Sequence, residues 1–239
     1  DHILLAFPLC PYREDAAFRS ATCDYGLSQF DRAETKLTTF LEEYPRSKLA
    51  SEAHLLLGDI AAAQGRLQLA VREYQLVPEG DIHIEHYNFA AFRCGEILAE
   101  LKDYDGLIAH FDRYLDRNRE GSNFPQALYW QGNAWWQKGE QERALAFYRR
   151  AMETYGKDRK ALGVDLILDE WAGKLRSAPP ALAEEGWRDL RDLLRKAGEE
   201  KEYALVLRLQ RMLLYNPKTA ETDRVAILRN LMHPNSLPY

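Results

Sequence analysis

FLEEYPRSKLASEAHLLLGDIAAAQGRLQLAVREYQLV, residues 40–77, decides the fold. It opens on the end of one helix and a Tyr44-Pro45 stop. An amphipathic helix follows, with Ala53, Leu56, Leu57, Ile60 and Ala61 at helical spacing and Ser47 placed as its N-cap. Gly65 breaks that helix, and Leu67, Ala70, Val71 and Tyr74 line the next. Outward from this stretch the same chemistry recurs every 37 residues, as Gly58, Gly95 and Gly132 show. The step also links Ala33, Ala70, Leu107 and Ala144. A bulky set (Leu37, Tyr74, Phe111, Tyr148) and a turn set (Phe30, Leu67, Tyr104, Gln141) follow it too. Four columns in one register make this an internal repeat of helix pairs, here termed A and B. Close packing explains the columns. Gly58 and Ala70 lack bulk, so two helix backbones can approach while Tyr74 fills the space beside them.

Small residues facing each other across a helical hairpin, a Gly-x-aromatic turn, and a bulky residue four after the alanine resemble the tetratricopeptide repeat family. Its usual unit has about 34 residues. The resemblance covers residues 14–161 as four units, 14–50, 51–87, 88–124 and 125–161. The second and fourth are the clearest, the latter with Gly139-Glu140-Gln141 and Ala144. The third departs with Leu107 in the alanine column, and the first has Ala21 for glycine. The family implies an all-α fold, a right-handed α-solenoid of antiparallel helix pairs. The Tyr-Pro-x-Ser-x-x-Ala junction at 44–50 also resembles bacterial cell-envelope proteins of this family, the Tol-Pal-associated and outer-membrane-assembly lipoproteins. That likeness implies a periplasmic or envelope location.

Phe7-Pro8 repeats the Tyr44-Pro45 junction 37 residues before it. Residues 1–13 are therefore expected to end a preceding, truncated repeat of a longer array. Beyond residue 161 the register fades, and 162–232 reads as degenerate repeats and capping helices. A helix over about 158–176 comes first. Pro179-Pro180 start another through Trp187 to Ala197, Gly198 separates it from one over Glu199–Tyr215, and Thr219 is placed to cap the last. Residues 233–239 read as an irregular tail. Parity is open here: alternation makes the Trp187 helix a B helix, whereas the Tyr215-Asn216-Pro217 ending makes it an A helix.

Apolar residues are 46% and charged residues 29% of the chain, which argues against disorder. A net charge of −5 with interspersed signs lacks the basic footprint of a nucleic-acid binder. No run of eighteen apolar residues marks a membrane span. Cys10, Cys23 and Cys94 are too scattered for a disulfide framework or zinc site, and Cys94 shares the core column of Leu57. No phosphate loop, nucleophile elbow or zinc-protease helix is present, so neither catalytic residues nor a cofactor are expected. Asp81-x-His83-x-x-His86 is the one metal-like cluster, with a solvated helix start as its plainer reading; His54 and His110 are isolated. Arg188, Arg191 and Arg195 alternate with Asp189, Asp192 and Glu199 as a mixed surface.

In the family, the second, fifth, ninth and twelfth positions of each A helix face the concave ligand groove. Carried onto this chain, that implies a groove with Phe18, Tyr25, Leu55, Asp59, Phe89, Phe92, Glu96, Gln126, Tyr129, Asn133 and Trp136. Trp135 and Phe111 take the core columns, which leaves Trp136 and Phe92 to the groove. The basic residues by which one subset of the family clamps acidic C-termini are absent from the fifth positions, so clamp function is not expected. The implied function is a non-catalytic scaffold holding a protein or peptide in the groove. Two other readings stand beside it. One is a spacer or self-association module; the other is an accessory array attached to a catalytic domain elsewhere in a longer chain.

Overall fold

A computed structural model describes residues 11–79, 84–119, 123–155, 164–216 and 219–232. Within them the chain is helical, without a strand. Contacts group it into two units, Asp1–His110 and Phe111–Tyr239.

In the first unit α1 (Arg13–Gly26) pairs with α2 (Phe30–Glu43), and α3 (Ala50–Ala63) with α4 (Leu67–Gln75). Next come α5 (Ile84–Glu100) and α6 (Tyr104–Arg117), inside which the unit boundary falls. α2 packs on α3, α4 packs on α5, and α3 touches both α1 and α5. Ala21 and Ala33 are fully buried at the α1–α2 crossing, among Phe18, Leu37, Phe40, Ala53, Leu57 and Ile60. At the α3–α4 crossing a Cβ on Gly58 would lie 2.6 Å from Tyr74 Cε1. The glycine is therefore the space that the buried Tyr74 ring occupies.

The A helices of the first four units, α1, α3, α5 and the helix that ends before Gly139, close in one repeated device. The Arg66 N–H donates to Ala61 O (2.8 Å) and the Gly65 N–H to Ala62 O (3.0 Å), with Gly65 at φ +73°. This pair of bonds satisfies the last carbonyls of α3 by turning one residue left-handed. The same pair recurs at Ser28 (φ 57°), Lys102 (φ 57°) and Gly139 (φ 84°), so 28, 65, 102 and 139 form another 37-residue column. Two of those four positions are not glycine, which hid the column from the sequence.

The second unit holds α7 (Phe124–Gln137), α8 (Gln141–Tyr155), α9 (Val164–Ser177), α10 (Pro180–Glu199), α11 (Tyr203–Leu213) and α12 (Glu221–Met232). α7 and α8 repeat the close crossing: a Cβ on Gly132 would meet Ala144 O and Tyr148 Cζ, each at 3.1 Å. Phe111 is fully buried. Trp171, Leu168 and Leu175 of α9, with Trp187 and Leu190 of α10, fill the core beyond them. A Cβ on Gly186 of α10 would run into the Leu175 side chain, so α9 and α10 also approach through a glycine.

The parity question has a structural answer. α10 packs on α8 and α9 as a B helix does. Yet it ends as an A helix does: Glu202 N–H donates to Ala197 O (2.9 Å), Lys201 N–H to Gly198 O (3.1 Å), and Lys201 sits at φ 61°. α11 then pairs with α10 as its B helix. One helix serves both roles, so neither sequence cue was misleading.

Several local expectations are corrected. Gly198 lies inside the last turn of α10, and Lys201 makes the break. Ser47 does not cap α3: its Oγ accepts the Leu49 N–H (2.9 Å) and donates to Glu14 (2.5 Å), holding the turn before the helix. Thr219 donates back to Leu213 O (2.8 Å) rather than capping α12. Trp135 is half-buried, with the Arg143 guanidinium 4.8 Å from its ring centroid, so it is not a core residue. Residues 1–10, the 156–163 stretch and the 233–239 tail lie outside the described residues, and with them the truncated-repeat reading.

Two outcomes test this packing. Gly58→Leu should lower stability by about 1–3 kcal/mol or more through overpacking against Tyr74, read from the urea midpoint; an unchanged midpoint would disprove the close crossing. Lys201→Gly should raise stability by about 1 kcal/mol by relieving a left-handed lysine, while Gly65→Ala should lower it by a similar amount.

Candidate functional site

The A-helix face of the first unit is built from α1, α3 and α5. Phe18 and Leu55 do not belong to its surface. Phe18 is 5% exposed with its ring centroid 5.4 Å from Phe40, and Leu55 is 8% exposed on a helix packed on α1, α4 and α5. Their fifth positions turn inward because these helices are covered on several sides. Tyr25 and Asp59 are half-buried and meet. Asp59 accepts the Tyr74 hydroxyl at 2.5 Å and the Tyr25 hydroxyl at 3.5 Å, tying α1, α3 and α4 together. Arg93 of α5 lies beside the same Tyr74 hydroxyl and pairs with Glu96 Oε2 at 2.5 Å.

Burial, then the Asp59 carboxylate, pushes the Tyr74 phenol far above its ordinary range; the same two causes raise Tyr25 less. Both hydroxyls thus stay protonated donors to Asp59. The expected groove residues include Asp59 and Glu96 but not the side chains that meet them, Tyr74 and Arg93. Its place in the bulky column marks Tyr74 only as a core ring, and nothing local in the sequence shows that its hydroxyl meets Asp59. Arg93 lies one residue beyond Phe92, a spacing the groove register skips.

On α5, Phe89 is 49% exposed, Phe92 is half-buried and Glu96 is exposed. Their spacing of three and then four residues puts all three on one helix face. An exposed phenylalanine beside a charged pair is the open, amphipathic part of this surface.

In the second unit, Gln126, Tyr129, Asn133 and Trp136 are all half-buried on α7. Lys174 of α9 covers part of this face. Its Nζ lies 5.7 Å from the Trp136 ring centroid, 5.5 Å from that of Tyr148, and 2.9 Å from Glu170 Oε2. Trp136 is therefore a ring held under a cation rather than an open anchor. Tyr129 packs 5.9 Å from Tyr148, and burial, then the Glu170 charge, pushes its pKa up to about 12. Asn133 follows Gly132 as Asp59 follows Gly58, yet among the described residues the buried Tyr148 hydroxyl has no hydrogen-bond partner where Tyr74 has Asp59.

The remaining singled-out residues are structural. Cys94 is fully buried. His54 is not isolated, since its Nδ1 lies 2.9 Å from Glu73 Oε2. His110 Nε2 lies 2.9 Å from the Ala91 carbonyl oxygen. Of the metal-like cluster only His86 is described; Asp81 and His83 lie outside the described residues. Among the described residues no group of three metal-binding side chains forms, and no helix is long and apolar enough to cross a membrane.

The tetratricopeptide repeat family model matches residues 21–81 and 103–158. No curated protein matches the chain in sequence. Among solved structures, the chain is similar to the C-terminal part of a TPR repeat-containing protein from Cytophaga hutchinsonii. The TM-score is 0.57 and the identity 16%, over 98% of this chain and 88% of that one. It is also similar to a tetratricopeptide repeat protein from Parabacteroides merdae, with a TM-score of 0.52 and 18% identity, over 94% of this chain and 80% of that one. Likeness at such identity shows the fold alone: an all-α helical repeat.

The tyrosine shifts give a pH dependence. The Tyr129 phenol ordinarily titrates near 10.0 and here near 12, so the folded state keeps a proton that the unfolded chain has lost in between. Its stabilising contribution is whole below pH 10.0 and is lost as pH rises to about 12. Urea unfolding at stepped pH should show a shallower alkaline decline for Tyr129→Phe than for the parent. Parallel declines would remove Tyr129 from the cause.

Proposed function

Because the chain belongs to the tetratricopeptide repeat family, whose repeats mediate protein–protein interactions, we propose that it is a non-catalytic scaffold gripping a peptide segment of a partner along its A-helix faces. The observation that carries this reading is Phe89, 49% exposed on α5 with Phe92 and Glu96 on the same face. A helix serving only to pack would present charge there; a large exposed ring offers apolar area at low entropic cost and is a common binding anchor.

In the first unit the anchors are Phe89 and Phe92. The Arg93–Glu96 pair and the Asp59 carboxylate supply polar contacts beside them. Asp59 already takes two tyrosine hydroxyls, so its role is to hold the face in one arrangement and to set its charge. In the second unit Gln126 and Asn133 offer side-chain amides suited to the main chain of an extended segment, and Tyr129 offers a ring edge, while Trp136 is held beneath Lys174. Phe18 and Leu55 act by supporting this surface from within.

Peptides selected from a random display library on the intact chain provide the test. Their affinity should fall at least about tenfold for Phe89→Ala with Phe92→Ala, about 1.4 kcal/mol, with helical circular dichroism unchanged. Selected peptides that bind parent and variant equally would refute the reading.

A further inference from the structure

A cleft lined by none of the groove residues named above lies between α9 and α11 in the second unit, with a volume of about 530 Å³. Three arginines line it: Arg176 from α9, and Arg208 and Arg211 from α11. One carboxylate, Asp169, lines it with them and takes Arg208 Nη2 at 2.5 Å. Arg176 lies over the Tyr215 ring, 5.6 Å from its centroid. Arg211 is exposed and has no charged partner among the described residues. Three guanidiniums against one acid, in a chain of net charge −5, make this a local reversal of sign. Gathering like charges costs stability, and a bound carboxylate relieves that repulsion.

We propose that this cleft is a separate binding site for a short acidic peptide segment. Guanidinium forks match carboxylates bidentately, and arginine clusters are a recurrent means of reading acidic motifs. The walls favour a peptide over a bare inorganic anion. Leu207 and the 63%-exposed Tyr215 ring offer apolar surface for the aliphatic stems of glutamates, and the volume suits more than one side chain. A long polyanion such as a nucleic acid would extend past the cleft and meet the acidic remainder of the chain, whereas a short segment stays within it. Asp169 acts here as an internal competitor: it neutralises Arg208 when the cleft is empty. The site needs no contribution from Phe89 or Phe92.

An end-blocked oligoglutamate peptide titrated into the intact chain at low salt, followed by calorimetry, tests the assignment. It should bind at one site, with affinity falling as salt is raised. Arg211→Glu should weaken it at least about tenfold without lowering the thermal midpoint, because Arg211 is exposed and has no charged partner among the described residues. Asp169→Asn should tighten it several-fold, a gain that a merely structural Arg208–Asp169 pair would not produce. Phe89→Ala with Phe92→Ala should leave it unaltered, which keeps failure of this site distinct from failure of the A-helix surface. Absence of oligoglutamate binding, indifference to Arg211→Glu, or weakening by Asp169→Asn would overturn the proposal. So would inorganic phosphate or a single-stranded oligonucleotide binding as tightly as the peptide.

Discussion

The close approach of paired helices at small residues is the constraint on which the remaining structure depends. At Gly58 there is no room for a Cβ, because the Tyr74 ring stands 2.6 Å from where it would be. Gly132 meets the Ala144 carbonyl and the Tyr148 ring in the same way. Dispersion contacts grow only when surfaces come fully together, so a glycine at the crossing converts two loosely touching helices into one packed hairpin. The Tyr74 and Tyr148 rings then stand in fixed places. Only because the Tyr74 ring is fixed does its hydroxyl reach Asp59 at 2.5 Å.

A second constraint is backbone rather than packing. The helices α1, α3, α5, α7 and α10 each reverse within a few residues, and the left-handed residue at 28, 65, 102, 139 and 201 does so while satisfying two helix-end carbonyls. Glycine occupies this position at 65 and 139, but serine or lysine occupies it elsewhere, where the surrounding hairpin imposes the strained conformation. The turn at 201 also explains the C-terminal region. α10 is laid down as a B helix against α8 and α9 and is then reused as the A helix of α11. One helix can play both parts because it packs on α8 and α9 and, separately, on α11.

The proposed binding surface inherits its limits from the same packing. Positions that face a groove in an isolated A helix become interior once neighbouring helices cover them, as with Phe18 and Leu55. Where cover is incomplete the face keeps an exposed ring and a charged pair, as on α5. Where a neighbouring helix supplies a long cation, as Lys174 does to Trp136, the ring is held rather than offered. Surface and support are thus assigned helix by helix, and a single register of groove positions cannot express that.

The 37-residue spacing by itself determined the helical-repeat fold, the small-residue crossings and the Tyr74 and Tyr148 columns. These depend on side-chain size at fixed intervals, a quantity a sequence carries directly. It also brought Asp59, Phe89, Phe92 and Glu96 into consideration, through the family resemblance. The tertiary structure alone decided which of those side chains remain exposed, that Tyr74 and Arg93 join Asp59 and Glu96, and that α10 plays two parts. It alone placed Arg176, Arg208 and Arg211 around one cleft, although Arg176 lies 32 residues from Arg208. Exposure, hydroxyl geometry and charge convergence depend on what neighbouring helices cover and bring together. A periodic reading of one helix at a time contains no information about those neighbours.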